Sequence, residues 1–142
     1  MSLPVLVALV AVGITLTVLA VHWTGGSRLA VIADEAQARA RFADDHPDDR
    51  VEAVHITADM ADAFLLLADG RVGIVHRVGD MFLTRIVSAA DDLRPVMKGA
   101  SLALAFDDFT WRGGTFVFNS EASARQVGQA LAVADSDDRK AA

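Results

Sequence analysis

Cysteine and tyrosine are absent from the 142 residues, lysine occurs only as Lys98 and Lys140, and no charged side chain precedes Arg28. Without cysteine there is no disulfide framework, no thiol nucleophile and no thiolate metal site. Neither lysine stands in a phosphate-binding loop, and Gly25-Gly26 and Gly113-Gly114 belong to neither a dinucleotide fingerprint nor a Walker loop. Lys+Arg number 13 against 19 Asp+Glu, a net charge of −6. That balance argues against nucleic-acid binding, which needs a basic face to displace counterions from phosphate. His22, His46, His55 and His76 are scattered, and no serine in a nucleophile elbow accompanies them, so no triad can be assembled. The reading is a non-catalytic protein without a cofactor.

The uncharged stretch is itself the strongest signal. Leu3 to Val21 reads LPVLVALVAVGITLTVLAV. At about 1.5 Å per residue it spans roughly 28 Å as a helix, close to the ~30 Å hydrocarbon core of a bilayer. Pro4 falls in the first turn, where its missing N–H is unpaired anyway. Thr15 and Thr17 can return their hydroxyl protons to carbonyls one turn back. Trp23 suits the lipid–water interface, and Gly25-Gly26-Ser27 is expected to break the helix. The expectation is a transmembrane anchor contacting lipid through residues 3–23, bounded by Leu3, Val21 and Trp23. Val18-Leu19-Ala20 loosely fits a small-x-small cleavage pattern, so a cleaved signal peptide with an exported soluble domain is the alternative. Against it stand the missing basic n-region and the length of the apolar run. Arg28, Arg39 and Arg41 follow the helix, and the positive-inside rule then predicts a single-pass protein of the inner or plasma membrane with a cytoplasmic C-terminal part. Gly13 and Thr17 form one small-xxx-small pair for a partner helix.

After the anchor, residues 28–49 read as a juxtamembrane helix and an acidic loop. Leu29, Ile32, Ala33, Ala36, Ala40 and Ala43 have helical spacing, Glu35 is placed to pair with Arg39, and His46-Pro47 ends the run. Asp44-Asp45-His46-Pro47-Asp48-Asp49 is dense in oxygen ligands but lacks EF-hand spacing, and reads as a solvated loop.

From Arg50 the period shortens to two. VEAVHIT (51–57), DAFLLLA (62–68), RVGIVHRV (71–78), MFLTRIVS (81–88), ASLALAFD (100–107) and TFVFN (115–119) read as strands, with a seventh short edge strand over Leu93–Met97 beside Pro95. Asp69-Gly70 and Gly79-Asp80 are expected as two-residue hairpin loops linking strands two, three and four in a meander, and Gly113-Gly114 as a turn. Leu102, Leu104 and Phe106 share one strand face, as do Phe116 and Phe118. Ser120 caps a final helix whose apolar face is Ala124, Val127, Leu131 and Ala134, and 135–142 reads as a flexible tail.

Six or seven antiparallel strands followed by one helix, SEASARQVGQALAVA, define an α+β domain over 50–134 that resembles the pleckstrin-homology-like superfold, here in the form of a small membrane-anchored bacterial protein. The resemblance implies a partly open barrel plugged by the helix, and a lipid head-group site on cations between the first two strands. Thr57-Ala58-Asp59-Met60-Ala61-Asp62 holds two carboxylates and no cation there, so phosphoinositide binding is not expected. Nor does residues 120–134 contain the tryptophan that such closing helices often carry.

Phe109, Trp111 and Arg112, in the segment DDFTWRGG, are the candidate contact for a membrane protein partner, since Trp and Arg are enriched at interface hot spots. The bland reading has both rings folded onto the barrel. The expected role is a membrane-anchored interaction or scaffold module, or an accessory subunit of a membrane complex. The alternative is a tethered small-ligand binder, excluded if Phe64, Leu66, Ile74, Leu104 and Phe116 fill the interior.

Overall fold

The computed structural model describes residues 2–25, 28–87 and 93–141. Gly26-Ser27, the Ser88 strand end, Asp91-Asp92 and Ala142 lie outside the described residues.

Helix α1 (Leu3–Trp23) buries none of its residues, which leaves an apolar cylinder with no protein cover. Its length and hydropathy suit a membrane span, and equally an export signal. Pro4 sits in the first turn, and the Thr15 and Thr17 hydroxyls donate to the Ala11 and Gly13 carbonyls at 2.8 Å each. Both threonine hydroxyls are thereby answered within the helix, as lipid demands.

The expected helix over 28–43 forms only as α2 (Glu35–Asp45). Asp34 accepts from the Gln37 N–H at 2.7 Å while the Gln37 side chain accepts from the Ala33 N–H at 2.7 Å, a reciprocal cap that fixes the start. Upstream, the Ala30 N–H donates to the Gly79 carbonyl and the Ile32 N–H to that of Met60, so these donors are unavailable to a helix. The buried face also differs from the alanine stripe expected. Ala38 and Phe42 turn inward, with Ile32 from the extended segment, whereas Ala36, Ala40 and Ala43 are exposed. One phenylalanine removes more apolar surface from water than several alanines, and it sets the face. Arg39, expected beside Glu35, instead donates to the Val51 carbonyl at 2.7 Å.

Seven strands follow. β1 (Val51–Ile56), β2 (Asp62–Leu67), β3 (Val72–Val78) and β4 (Met81–Val87) form an antiparallel meander. β5 (Val96–Lys98), β6 (Ser101–Ala105) and β7 (Gly113–Val117) form a second antiparallel sheet. The sheets meet at one corner, through the Thr57–Phe118 bridge and a 2.7 Å bond from the Ala58 N–H to the Val117 carbonyl. They do not close into a barrel. Gly79-Asp80 is the two-residue turn expected, with Gly79 at φ 66° as a primed turn requires. The β2–β3 loop is longer than expected. Leu67 pairs with Arg71 around Ala68-Asp69-Gly70, which shifts the register by one residue. Gly113-Gly114 opens β7 rather than forming a turn, and the strand approach there requires glycine, since a Cβ at Gly113 would stand 2.3 Å from the Leu104 carbonyl oxygen.

Both faces of the four-stranded sheet are covered. Ala63, Leu65, Leu67 and Val75 face α2, while Phe64, Val72, Ile74 and Val87 face the second sheet and the C-terminal helix. Double cover explains why β2 is apolar from Ala63 to Leu67 rather than alternating. Helix α3 (Glu121–Ala141) begins where Ser120 accepts from the Ser123 N–H at 3.1 Å and buries Ala124, Val127 and Leu131. It continues past the expected end at Ala134, since no glycine or proline interrupts residues 135–141.

Candidate interaction surface

The inner face of β2 and β3 carries two polar residues near one end. Asp62, 6% exposed, opens β2, and the register places it opposite His76 of β3. Its carboxylate meets the imidazole Nδ1, and its backbone N–H donates to the Thr57 hydroxyl at 3.1 Å. Asp62 therefore orients the His76 ring.

The β6–β7 loop, residues 106–112, closes over that ring. Trp111 stacks on His76 with centroids 4.3 Å apart and planes 19° from parallel. It also lies 5.0 Å from the Phe106 ring and meets Phe116 edge-on at 5.9 Å. Arg85 of β4 braces the loop twice. Its guanidinium sits 4.6 Å over the Phe106 ring and donates to the Asp108 carboxylate at 2.6 Å. The other Asp108 oxygen accepts from the Thr110 N–H at 2.8 Å, and the Phe106 N–H donates to the Arg112 carbonyl at 3.0 Å. The Thr110 amide and the Arg85 charge hold the Asp108 carboxyl below the usual carboxylate range.

The three candidate contact residues thus separate. Trp111 is half-buried and supports the loop from beneath. Phe109 projects fully, with 102% relative exposure, and Arg112 is exposed beside it. Phe106, Asp107, Asp108, Phe109 and Arg112 line a shallow cleft of about 140 Å³. The sequence reading missed Asp62, Arg85 and Asp108 as members of this surface. A carboxylate heading an otherwise apolar strand was the available signal for Asp62, but its partner depends on the β2–β3 register.

Elsewhere, Asp45 and Asp49 of the acidic loop are engaged by neighbours. Asp45 accepts from Thr84 and pairs with Arg41 at 3.3 Å, and Asp49 pairs with Arg71. Among the described residues, no three metal-ligating side chains converge. Phe64, Ile74, Leu104 and Phe116 are buried between the sheets with Leu66 packed against them. A groove of about 510 Å³ runs outside that core between α3 and the β1–β2 pair, lined by residues including Leu66, Gly70, Gln126 and Val133.

Fold and surface together define an α+β protein with an N-terminal apolar helix, two antiparallel sheets and a C-terminal helix. Compared with known protein families, curated proteins and solved structures, the chain has no match.

Proposed function

We propose that the protein is a single-pass, membrane-anchored, non-catalytic interaction module, either a scaffold or an accessory subunit of a membrane complex. In this reading α1 is retained as the anchor, and the domain after it is a pleckstrin-homology-like unit on the cytoplasmic side. The four-plus-three arrangement of strands with a terminal helix supports the superfold. The following arginines support the orientation, and the 21-residue length of α1 favours an anchor over a cleaved signal. Tethering raises the local concentration near membrane partners, so a small contact suffices.

One observation carries the contact: a phenylalanine wholly in water on a loop braced by the Arg85–Asp108 pair and the Trp111–His76 stack. Ordering this loop before binding lowers the entropy lost on association. The filled interior favours surface recognition over an enclosed ligand, and His76, stacked under Trp111 and fixed by Asp62, serves to brace the loop.

The test is a mild-detergent pull-down read by mass spectrometry, comparing wild type with Phe109→Ala, Arg112→Ala and the distant Gln129→Ala. Partners recovered by wild type and Gln129→Ala should be depleted from the first two variants. Equal recovery from all four refutes the contact. For topology, a periplasmic reporter fused to the C-terminus should be inactive, and strong activity overturns the orientation.

A further inference from the structure

The chain leaving α1 is pinned to one particular end of the four-stranded sheet. The Ala30 N–H donates to the Gly79 carbonyl at 3.1 Å, the Ile32 N–H to the Met60 carbonyl at 2.9 Å, and Arg77 Nη1 to the Ala30 carbonyl at 3.2 Å. These bonds tie residues 30–32 to the β3–β4 turn and to the β1–β2 connection, which lie at the same end because β2 and β3 are antiparallel neighbours. Trp23 and Ala30 are only seven positions apart, so this end lies within about 25 Å of the last turn of α1 even with the intervening chain fully extended. The Arg28 N–H also donates to the Gly25 carbonyl at 3.0 Å, which shortens that reach.

The same end carries a set of exposed large apolar side chains: Leu29 at 60%, Val31 at 45%, Met60 at 45%, Val78 at 57% and Met81 at 68% exposed. Val78 and Met81 face each other across the turn, and Met60 lies beyond Asp62 on the neighbouring strand end. Met60 also holds φ at 55°, a conformation disfavoured for its side chain, at the point where its carbonyl receives Ile32. Charge here has no single sign, since Arg28 and Arg77 are balanced by Asp59 and Asp80.

We infer that this apolar end docks on the bilayer interface, with Leu29, Val31, Met60, Val78 and Met81 entering the headgroup boundary while the β2–β3 loop and the groove beside α3 face away. The inference rests on the reading of α1 as a retained anchor. The tether names lipid as the occupant: it holds these side chains beside a membrane whichever partner the domain meets. Mixed charge makes the contact indifferent to anionic lipid, unlike a polybasic surface.

The natural absence of cysteine allows single labels in the full-length protein, reconstituted in phosphatidylcholine vesicles. An environment-sensitive fluorophore on Leu9→Cys reports α1, on Met81→Cys the docking end, and on Gln129→Cys the opposite side. With doxyl-labelled lipid, labels at 9 and 81 should be quenched and the one at 129 should not, because docked side chains sit about 5–10 Å into the interface. Replacing part of the phosphatidylcholine with phosphatidylglycerol should leave quenching at 81 unchanged. Quenching at 9 but not at 81, or equally at 81 and 129, overturns the docking while the anchor stands. Quenching at 81 that appears only with phosphatidylglycerol overturns the neutral-interface assignment. No quenching at 9 removes the anchor, and the inference with it.

Discussion

Gly73 and Phe42 should behave as one unit. A Cβ at Gly73 would stand 2.5 Å from Phe42 Cε2 and 2.7 Å from Cζ. Ordinary contacts of that kind begin near 3.4 Å, so the ring would have to retreat by about 1 Å from a fully buried site. Overpacking of this type costs about 1–3 kcal/mol, partly offset by the ~0.4–1 kcal/mol that alanine gains by restricting the unfolded chain. Gly73→Ala should therefore destabilise by about 1–2 kcal/mol, and Phe42→Ala by about 3–5 kcal/mol through loss of its burial and the void it leaves. In the double variant the added methyl meets no ring and fills part of the void. Its cost should be no greater than that of Phe42→Ala alone, a coupling of about 1–3 kcal/mol. Urea denaturation of the full-length protein in mild detergent, followed by tryptophan fluorescence, measures all four species. Strict additivity would refute the packing of α2 against β3, and with it the path of residues 28–34 that connects α1 to the domain.

Trp111→Ala should lower stability by about 2–3 kcal/mol, since it strips one ring from contact with three others, whereas Phe109→Ala should change it by no more than about 0.5 kcal/mol. Thermal melts of the two variants separate support from contact. Desolvation pushes the His55 imidazole below its ordinary pKa against an opposing pull from Glu35, and among the described residues its buried Nε2 has no hydrogen-bond partner. The unfolded chain therefore takes up a proton that the folded state resists, so stability should fall as pH drops below about 6.5. His55→Leu should flatten that decline in melting temperature, and an unchanged slope would exonerate His55. Asp108 carries the opposite bond between charge and fold: its depressed pKa contributes stability above about 4 that is lost on further acidification. Melts between pH 5 and pH 2.5 should show a smaller loss in Asp108→Asn than in wild type.

Local signals account for much of this architecture. Nineteen uncharged residues name a lipid-compatible helix, because transfer free energy adds along the chain regardless of what lies nearby. Alternation through β6 and β7 and one residue beyond each sorts Leu102, Leu104, Phe106, Phe116 and Phe118 to the interior, and Gly79-Asp80 marks its turn, since each depends on a few adjacent dihedrals. Ser120 announces α3 in the same way.

Three features depended on distant residues. Helix α2 starts at Glu35, and buries Phe42 rather than an alanine stripe, because Gly79 and Met60 claim the amides upstream and Gly73 leaves room for the ring. Asp62 meets His76 only because the β2–β3 loop holds three residues; the two-residue loop would have set it opposite Arg77. Trp111 and Phe109 are two positions apart in one loop, yet one is stacked over His76 and the other stands in solvent. Hydropathy is a property of each residue type, and no sum over neighbours in sequence tells two aromatic rings apart. Their difference arises when β3, β4 and β7 meet beneath the loop and offer a platform that only one of the rings can reach.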